Sequence, residues 1–253
     1  MTEPEHIHKQ RGKGFYLLPN LFTTAGLFAG FYAIIAAVDG HFANAAIAIF
    51  IALIMDGLDG RVARMTHTES DFGAEYDSLA DMVSFGLAPA LVIHQWALTS
   101  WGKIGWLGAF VFAACAALRL ARFNTQVGVA DKRYFQGLAS PAAASLIAGF
   151  VWLGVDFGWE GTDKRLIAIV VSMGAGILMV TNIRYHSFKQ FDLRGKVPFI
   201  VIVALMLAFA VIYLHPPVVL FAGFFIYAIS GPVMALLKYK QRREEKEKSD
   251  KAA

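Results

Sequence analysis

Long apolar runs separated by short charged connections set the pattern of this chain. Eight runs approach the roughly 20 residues that a helix needs to cross a bilayer: 15–38, 43–64, 77–98, 104–119, 141–157, 166–183, 197–214 and 218–237. The fourth and fifth are the shortest. None alternates as a barrel strand would, and a backbone in lipid must satisfy its own hydrogen bonds, so each is expected to be helical. The pattern predicts an all-α integral membrane protein, a bundle of about eight transmembrane helices with both termini cytoplasmic. Residues 15–237 form the membrane domain, 1–14 a juxtamembrane arm, and 238–253 a charged tail that extends the last helix into solvent and frays. The first run is too long for the apolar part of a signal peptide and is read as a retained span.

Composition agrees with this picture. Of 253 residues, 57% are hydrophobic and 17% charged, against about 25% charged in soluble domains, and the mean hydropathy is +0.53. The single cysteine, Cys115, lies inside an apolar run, which excludes a disulfide framework and a cysteine metal site. Charge then orients the bundle. With eight spans, Lys103, Lys164 and Arg165 fall on one face and the other 20 of the 23 lysines and arginines on the opposite face. By the positive-inside rule the rich face is cytoplasmic, which places the chain as a multi-pass protein of the cytoplasmic (inner) membrane. Such a face attracts anionic headgroups and nucleotides. No nucleic-acid partner is expected.

Candidate chemistry is concentrated in residues 56–81, DGLDGRVARMTHTESDFGAEYDSLAD. Four aspartates, Asp56, Asp59, Asp77 and Asp81, sit in or beside apolar runs, where an ionised carboxylate costs about 2.5–3.5 kcal/mol on an insertion scale. Intramembrane acids mark function by default. Asp56 and Asp59 share one helical face, continued by Gly60 and Ala63. Gly73, Asp77 and Asp81 repeat at spacing four and share another. If the faces meet, four carboxylates converge beside clefts lined by small residues, and their mutual repulsion calls for a cation. Oxygen-only ligands favour a hard divalent ion, Mg2+, Mn2+ or Ca2+, and two ions would balance four negative charges. The small residues let a phosphate or nucleotide approach the backbone. Arg64 is either a bidentate phosphate donor or a positive-inside anchor.

Elsewhere, Pro19 near the start of the first run and Ser140-Pro141 at the fifth read as helix starts, with Ser140 as N-cap. Gly26 and Gly30 form a GxxxG packing signal. His67, His94 and His186 lack a second histidine at helical spacing and are left out of the site. Glu69, Asp71 and Glu75 read as solvent-facing or helix-start charges, with Asp71 close enough to the motif to be kept in view.

These residues carry a resemblance. The pattern Asp56-x2-Asp59-Gly60-x2-Ala63-Arg64-x8-Gly73-x3-Asp77-x3-Asp81 resembles the signature of the CDP-alcohol phosphotransferases at every fixed position. Pro19-Asn20-x2-Thr23, the segment 77–89, Arg119-Leu120-Ala121-Arg122-Phe123-Asn124 and the segment 135–143 resemble a narrower group, the membrane-integral phosphatidylserine synthases of bacteria and archaea. The likeness covers about the first 145 residues, and the last three spans resemble the group only in topology.

The resemblance implies a metal-dependent reaction in which L-serine displaces CMP from CDP-diacylglycerol to give phosphatidylserine. It implies that Asp56, Asp59 and Asp77 ligate metal, and that Asp81 both contacts metal and acts as the base. It also implies that Gly60, Ala63, Arg64 and Gly73 hold the cytidine diphosphate. Metals bridging the diphosphate, Mg2+ or Mn2+, and a carboxylate within reach of the serine hydroxyl suit this chemistry. Arg119 and Arg122, with Asn124 nearby, are candidates for the serine carboxylate or a lipid phosphate, the rival reading being snorkelling anchors. Asn20 and Thr23 are candidates for the pocket wall. A homodimer is implied, with membrane lipids as surroundings. The alternatives are a sister transferase using glycerol 3-phosphate or an inositol compound, and, in another class, a cation transporter.

Overall fold

The computed structural model describes residues 17–66, 68, 70–125, 134–186 and 199–252. Among the described residues, eight longer helical segments follow one another, with a short 3-10 turn (Gly161–Lys164) before the sixth: α1 (Leu17–Val38), α2 (Phe42–Thr66), α3 (Asp71–Trp101), α4 (Lys103–Thr125), α5 (Ser140–Asp156), α6 (Arg165–Val180), α7 (Phe199–Leu214) and α8 (Pro216–Ala252). Among the described residues, α1 to α4 and α8 are long and apolar enough to cross a membrane, and α5 is apolar but shorter. Each predicted run overlaps a helix among the described residues, but five rather than eight of these helices have the length and apolarity of a span. The arm before residue 17, with its Lys9, Arg11 and Lys13, lies outside the described residues.

Small residues set how closely the first two helices pack. Ala29, Ala33 and Ala36 of α1 and Ala45, Ala48 and Ala52 of α2 are buried, so backbones rather than long side chains meet, the usual solution where lipid gives no hydrophobic drive for association. The GxxxG pair divides its work. Gly26 faces α2, where a Cβ would touch Met55 Cβ at 3.5 Å, and Gly30 faces Ser84 of α3, which leaves no room for one. Ser84 also donates to the Gly26 carbonyl at 3.1 Å. Large apolar side chains such as Phe28, Ile54, Trp106 and Ile226 point outward, as lipid-facing surface requires.

Four details depart from the sequence reading. First, α4 runs to Thr125 and is not short, because Arg119, Arg122 and Asn124 find partners across its end and the helix continues through them. Second, α5 is short, as its run predicts, but it is central, which the run does not show. It packs on α2 and α8, and its residues Ala142 to Val151 are all buried. Third, the N-cap of α5 lies one residue before Ser140, which is itself the first helical residue. Ala139 is the cap, without a side-chain bond, and the Ser140 hydroxyl instead accepts from Arg119. Fourth, the charged tail continues α8 as helix through Ala252, with an exposed Arg243–Glu247 pair at spacing four, the arrangement that supports a solvated helix.

Two features have no precedent in the pattern. Helix α3 contains two π-helical stretches, Met82–Leu87 and His94–Leu98, and the first begins directly after Asp81. Such wide turns rotate the following side chains relative to the preceding α-helix and recur at functional sites. Two three-residue strands, β1 (Tyr134–Gln136) and β2 (Arg184–His186), pair antiparallel with Phe135 opposite Tyr185. Gly137 leaves β1 at φ +77° with the Met179 carbonyl packed where a Cβ would stand, so only glycine fits there.

Candidate active site

The last turns of α2 and the first turns of α3 face each other under α1. Ser70 starts α3, its Oγ accepting the Gly73 backbone N–H at 3.1 Å. From that cap Gly73, Asp77 and Asp81 stand on successive turns, Gly73 towards Asn20 of α1 and the two aspartates on a cavity that α2 also lines. Carboxylate oxygens of Asp56, Asp59 and Asp77, one from each, lie within 4.8 Å of one another. At an effective dielectric of about 20, two unit charges at that separation repel by about 3 kcal/mol. A bound cation would relieve three such pairs.

The donor set fits a hard divalent metal. It consists of oxygen atoms only, Asp59 is 5% exposed and Asp56 and Asp77 are partly buried, and the cavity they line is about 10 Å³, room for one ion-sized body. Asp81 lies one turn further along α3, on the wall of the same cavity but not among the three converging oxygens. It experiences the like charges of Asp56, Asp77 and Asp59 and the opposite charge of Arg119.

Thr23 closes the cavity from α1. Its buried hydroxyl donates to Asp59 Oδ2 at 2.8 Å, with a longer approach to the Pro19 carbonyl at 3.2 Å. Thr23 thus fixes a carboxylate of the cluster. Asn20 stands one turn earlier, its Oδ1 3.6 Å from where a Gly73 Cβ would be. On α2, Gly60 and Ala63 leave a shallow face, over which the exposed Arg64 folds so that its Nη1 is 3.5 Å from the Gly60 Cβ position. The structure therefore brings together Asp56, Asp59, Asp77, Asp81, Thr23, Asn20 and Gly73, with Gly60, Ala63 and Arg64 along the adjoining face of α2.

The three residues at the end of α4 behave differently from one another. Asn124 exchanges hydrogen bonds with Ser78, its Nδ2 donating to Ser78 Oγ at 3.0 Å, and so ties α4 to α3. Arg122 donates to the Val180 carbonyl at 3.3 Å and to Asn182 Oδ1 at 2.7 Å, satisfying the C-terminal end of α6. Arg119 is buried, donates from Nη1 to Ser140 Oγ at 2.9 Å, and is electrostatically attracted to Asp81. His94 lies in the second π-helical stretch, away from the cavity lining. His67, Glu69 and the side chain of His186 lie outside the described residues.

Sequence reasoning missed Ser70, Ser84 and Tyr76, whose hydroxyl shares a 2.9 Å hydrogen bond with Thr24. A serine three residues before Gly73, at the start of a helical run, was a readable capping signal. Ser84 and Tyr76 had none, because their partners lie on another helix.

A profile of the CDP-alcohol phosphatidyltransferase family matches residues 16–181. The chain belongs to this family. Among its relatives is a CDP-diacylglycerol–serine O-phosphatidyltransferase of Helicobacter pylori, 41% identical over 196 residues, covering 77% of this chain and 82% of the relative. A protein of the same name from Methanocaldococcus jannaschii is 36% identical over 191 residues, covering 76% and 82%. An archaetidylserine synthase of Methanothermobacter thermautotrophicus is 34% identical over 173 residues, covering 68% and 70%. Family membership makes the chain an enzyme and sets aside the cation-transporter alternative. The matched segment contains the whole carboxylate cluster and ends before α7 and α8.

Proposed function

We propose that this family member transfers the phosphatidyl group of CDP-diacylglycerol to the hydroxyl of L-serine, giving phosphatidylserine and CMP. The observation that carries the reading is the convergence of Asp56, Asp59 and Asp77 on one cavity with Asp81 on its wall, within a chain whose relatives bear that activity in their names. Glycerol 3-phosphate or an inositol compound as acceptor is less well supported, since the relatives are named for serine transfer.

Asp56, Asp59 and Asp77 would hold a divalent metal, Mg2+ or Mn2+, and Asp81 is the remaining carboxylate available to a second ion. When bound, the metal supplies positive charge for the diphosphate and for the leaving CMP. Arg64 offers a bidentate guanidinium to the same phosphates, and Gly60, Ala63 and Gly73 leave the backbone open to the nucleotide. Thr23 and Asn20 support the carboxylates and the start of α3. Asp81 accepts the proton of the serine hydroxyl as its oxygen bonds to the phosphorus carrying the diacylglycerol. The bond from that phosphorus to CMP breaks, and CMP leaves with the electron pair.

The wider setting follows the same reading. Residues 15–237 form the catalytic membrane domain with eight spans, both termini and the site facing the cytoplasm, in the inner membrane, as a homodimer. The charge asymmetry supports the orientation.

Purified protein supplied with CDP-diacylglycerol, Mn2+ or Mg2+, and each acceptor in turn tests the reaction. CMP release is expected with L-serine, and an active enzyme that uses glycerol 3-phosphate but not serine overturns the acceptor assignment. Asp81→Asn is expected to lower turnover by about 100-fold or more, the scale of a lost general base. Full activity in that variant would remove Asp81 from the role of base. Chelation is expected to abolish turnover, with recovery on adding Mn2+.

A further inference from the structure

Ser84 is a buried hydroxyl to which the transfer reaction gives no task, 2% exposed and on the wall of the cavity that Asp56, Asp59, Asp77 and Asp81 also line. It stands three residues after Asp81, inside the wide turn Met82–Leu87. A π-helical turn is rare within a helix and recurs at functional sites. Three contacts hold this one. The Ser84 hydroxyl donates to the Gly26 carbonyl of α1 at 3.1 Å. Gly30 of α1 lacks the Cβ that would collide with Ser84, and Gly86 lacks the one that would collide with the Met82 thioether.

Helix α1 thereby touches both halves of the site. Thr23 and Gly26 are three residues apart, neighbours on one face of α1 and about 4.5 Å apart along its axis. Thr23 donates to Asp59 of α2 at 2.8 Å, and the Gly26 carbonyl accepts from Ser84 of α3. The two carboxylate-bearing helices are registered against each other through α1. Asp59 is held by a bond to its own carboxylate, and Asp81 by a bond made three residues further along the same helix. Both bonds are buried, so water cannot stand in for either donor.

We infer that Ser84 is a positioning residue for the transfer: by pinning the wide turn to α1, it sets where the Asp81 carboxylate stands relative to the acceptor hydroxyl. The inference rests on the reading of Asp81 as the base and deepens it. A misplacement of about 1 Å at the reacting groups can cost about 100-fold in rate. The converging oxygens of Asp56, Asp59 and Asp77 keep their own support in Thr23 when the Ser84 hydroxyl is removed. Removal also leaves no buried group without a partner, because within α1 the Gly26 carbonyl accepts the helix's own N–H four residues on. Ser84→Ala is therefore expected to fold.

The test is a double-mutant cycle with Asp81→Asn, measured as CMP release from CDP-diacylglycerol and L-serine. Ser84→Ala alone is expected to lower kcat by about tenfold or more, with the KM for each substrate and the Mn2+ requirement within about twofold of wild type. In the Asp81→Asn background the same substitution is expected to cost less than about twofold, because residues that act as a unit are not additive. If Ser84→Ala does not fold, Ser84→Cys, a weaker donor, is carried through the same cycle, and its kcat loss is expected to vanish beside Asp81→Asn.

An unchanged kcat in Ser84→Ala overturns the inference. So does an equal fold loss in both backgrounds, which would make the hydroxyl part of the general packing of α3 on α1. A raised serine KM would put Ser84 on the acceptor, and a raised Mn2+ requirement would put its effect on the metal cluster, and either result overturns the positioning of Asp81. Full activity of Asp81→Asn alone removes the base and this inference with it. Absence of CMP release by the wild type with every acceptor would instead remove the transfer reading itself.

Discussion

Replacing Thr23 by valine removes one hydroxyl and nearly nothing else from the site. Thr23 and Asp59 are each 5% exposed, and the bond between them is 2.8 Å, so water cannot take the place of the lost donor. A hydrogen bond to a charged group contributes about 1.5–3 kcal/mol, equivalent to roughly 10- to 100-fold in an equilibrium constant. Outer partners of metal ligands lose affinity or activity on the same scale when removed. CMP release by Thr23→Val at saturating lipid and serine should therefore need about tenfold or more Mn2+ for half-maximal rate, with most of the maximal rate recovered at high metal. Thr24→Val is the control. That hydroxyl bonds to the Asn20 carbonyl and to Tyr76, away from the carboxylates, and the Mn2+ dependence should not move. An unchanged Mn2+ requirement in Thr23→Val together with a raised serine KM would refute the reasoning and put Thr23 on the acceptor.

Other expectations separate structure from chemistry. Arg122→Ala removes two bonds at the end of α6 and should lower the melting temperature in detergent while leaving the serine KM unchanged, since Arg122 ties helices together. Gly231→Ala drives a methyl into the Tyr185 ring and should destabilise by about 1–3 kcal/mol, as overpacking does, with a thermal shift that Tyr185→Leu partly reverses. Burial, reinforced by Tyr227, pushes the Tyr185 phenol up to about 12 from an ordinary value of 10.0. A raised phenol favours the folded protein below the unfolded value, and that contribution is lost as pH rises through the folded value. Melting temperature should thus fall more steeply between those two values in the wild type than in Tyr185→Phe, and parallel curves would contradict the assignment.

The carboxylate segment was legible because helical spacing of three and four is a local property. Asp56 with Asp59, and Gly73 with Asp77 and Asp81, share faces whatever surrounds them. The bulk of the five long spans was legible because apolar length alone decides what can lie in lipid. The length of α4 was not, since Arg119, Arg122 and Asn124 carry it on through bonds to other parts of the chain, and neither was the central place of α5 between α2 and α8. Ser140 shows the limit well. Locally it reads as an N-cap, and a buried cation 21 residues earlier in the chain claims its hydroxyl instead.

By itself, the sequence determined the helical membrane class, the segment that carries the chemistry and the family, because periodicity, hydropathy and fixed spacing are written along one strand of residues. Tertiary structure alone decided that Thr23 serves Asp59, that Arg122 and Asn124 tie helices while Arg119 is buried against Ser140, and that Tyr185 of β2 latches the last helix at the Ala228 carbonyl. Those assignments depend on which side chains from distant helices meet. That is settled by the packing of small residues, the wide turn after Asp81 and the Tyr185 latch, none of which has a period to read.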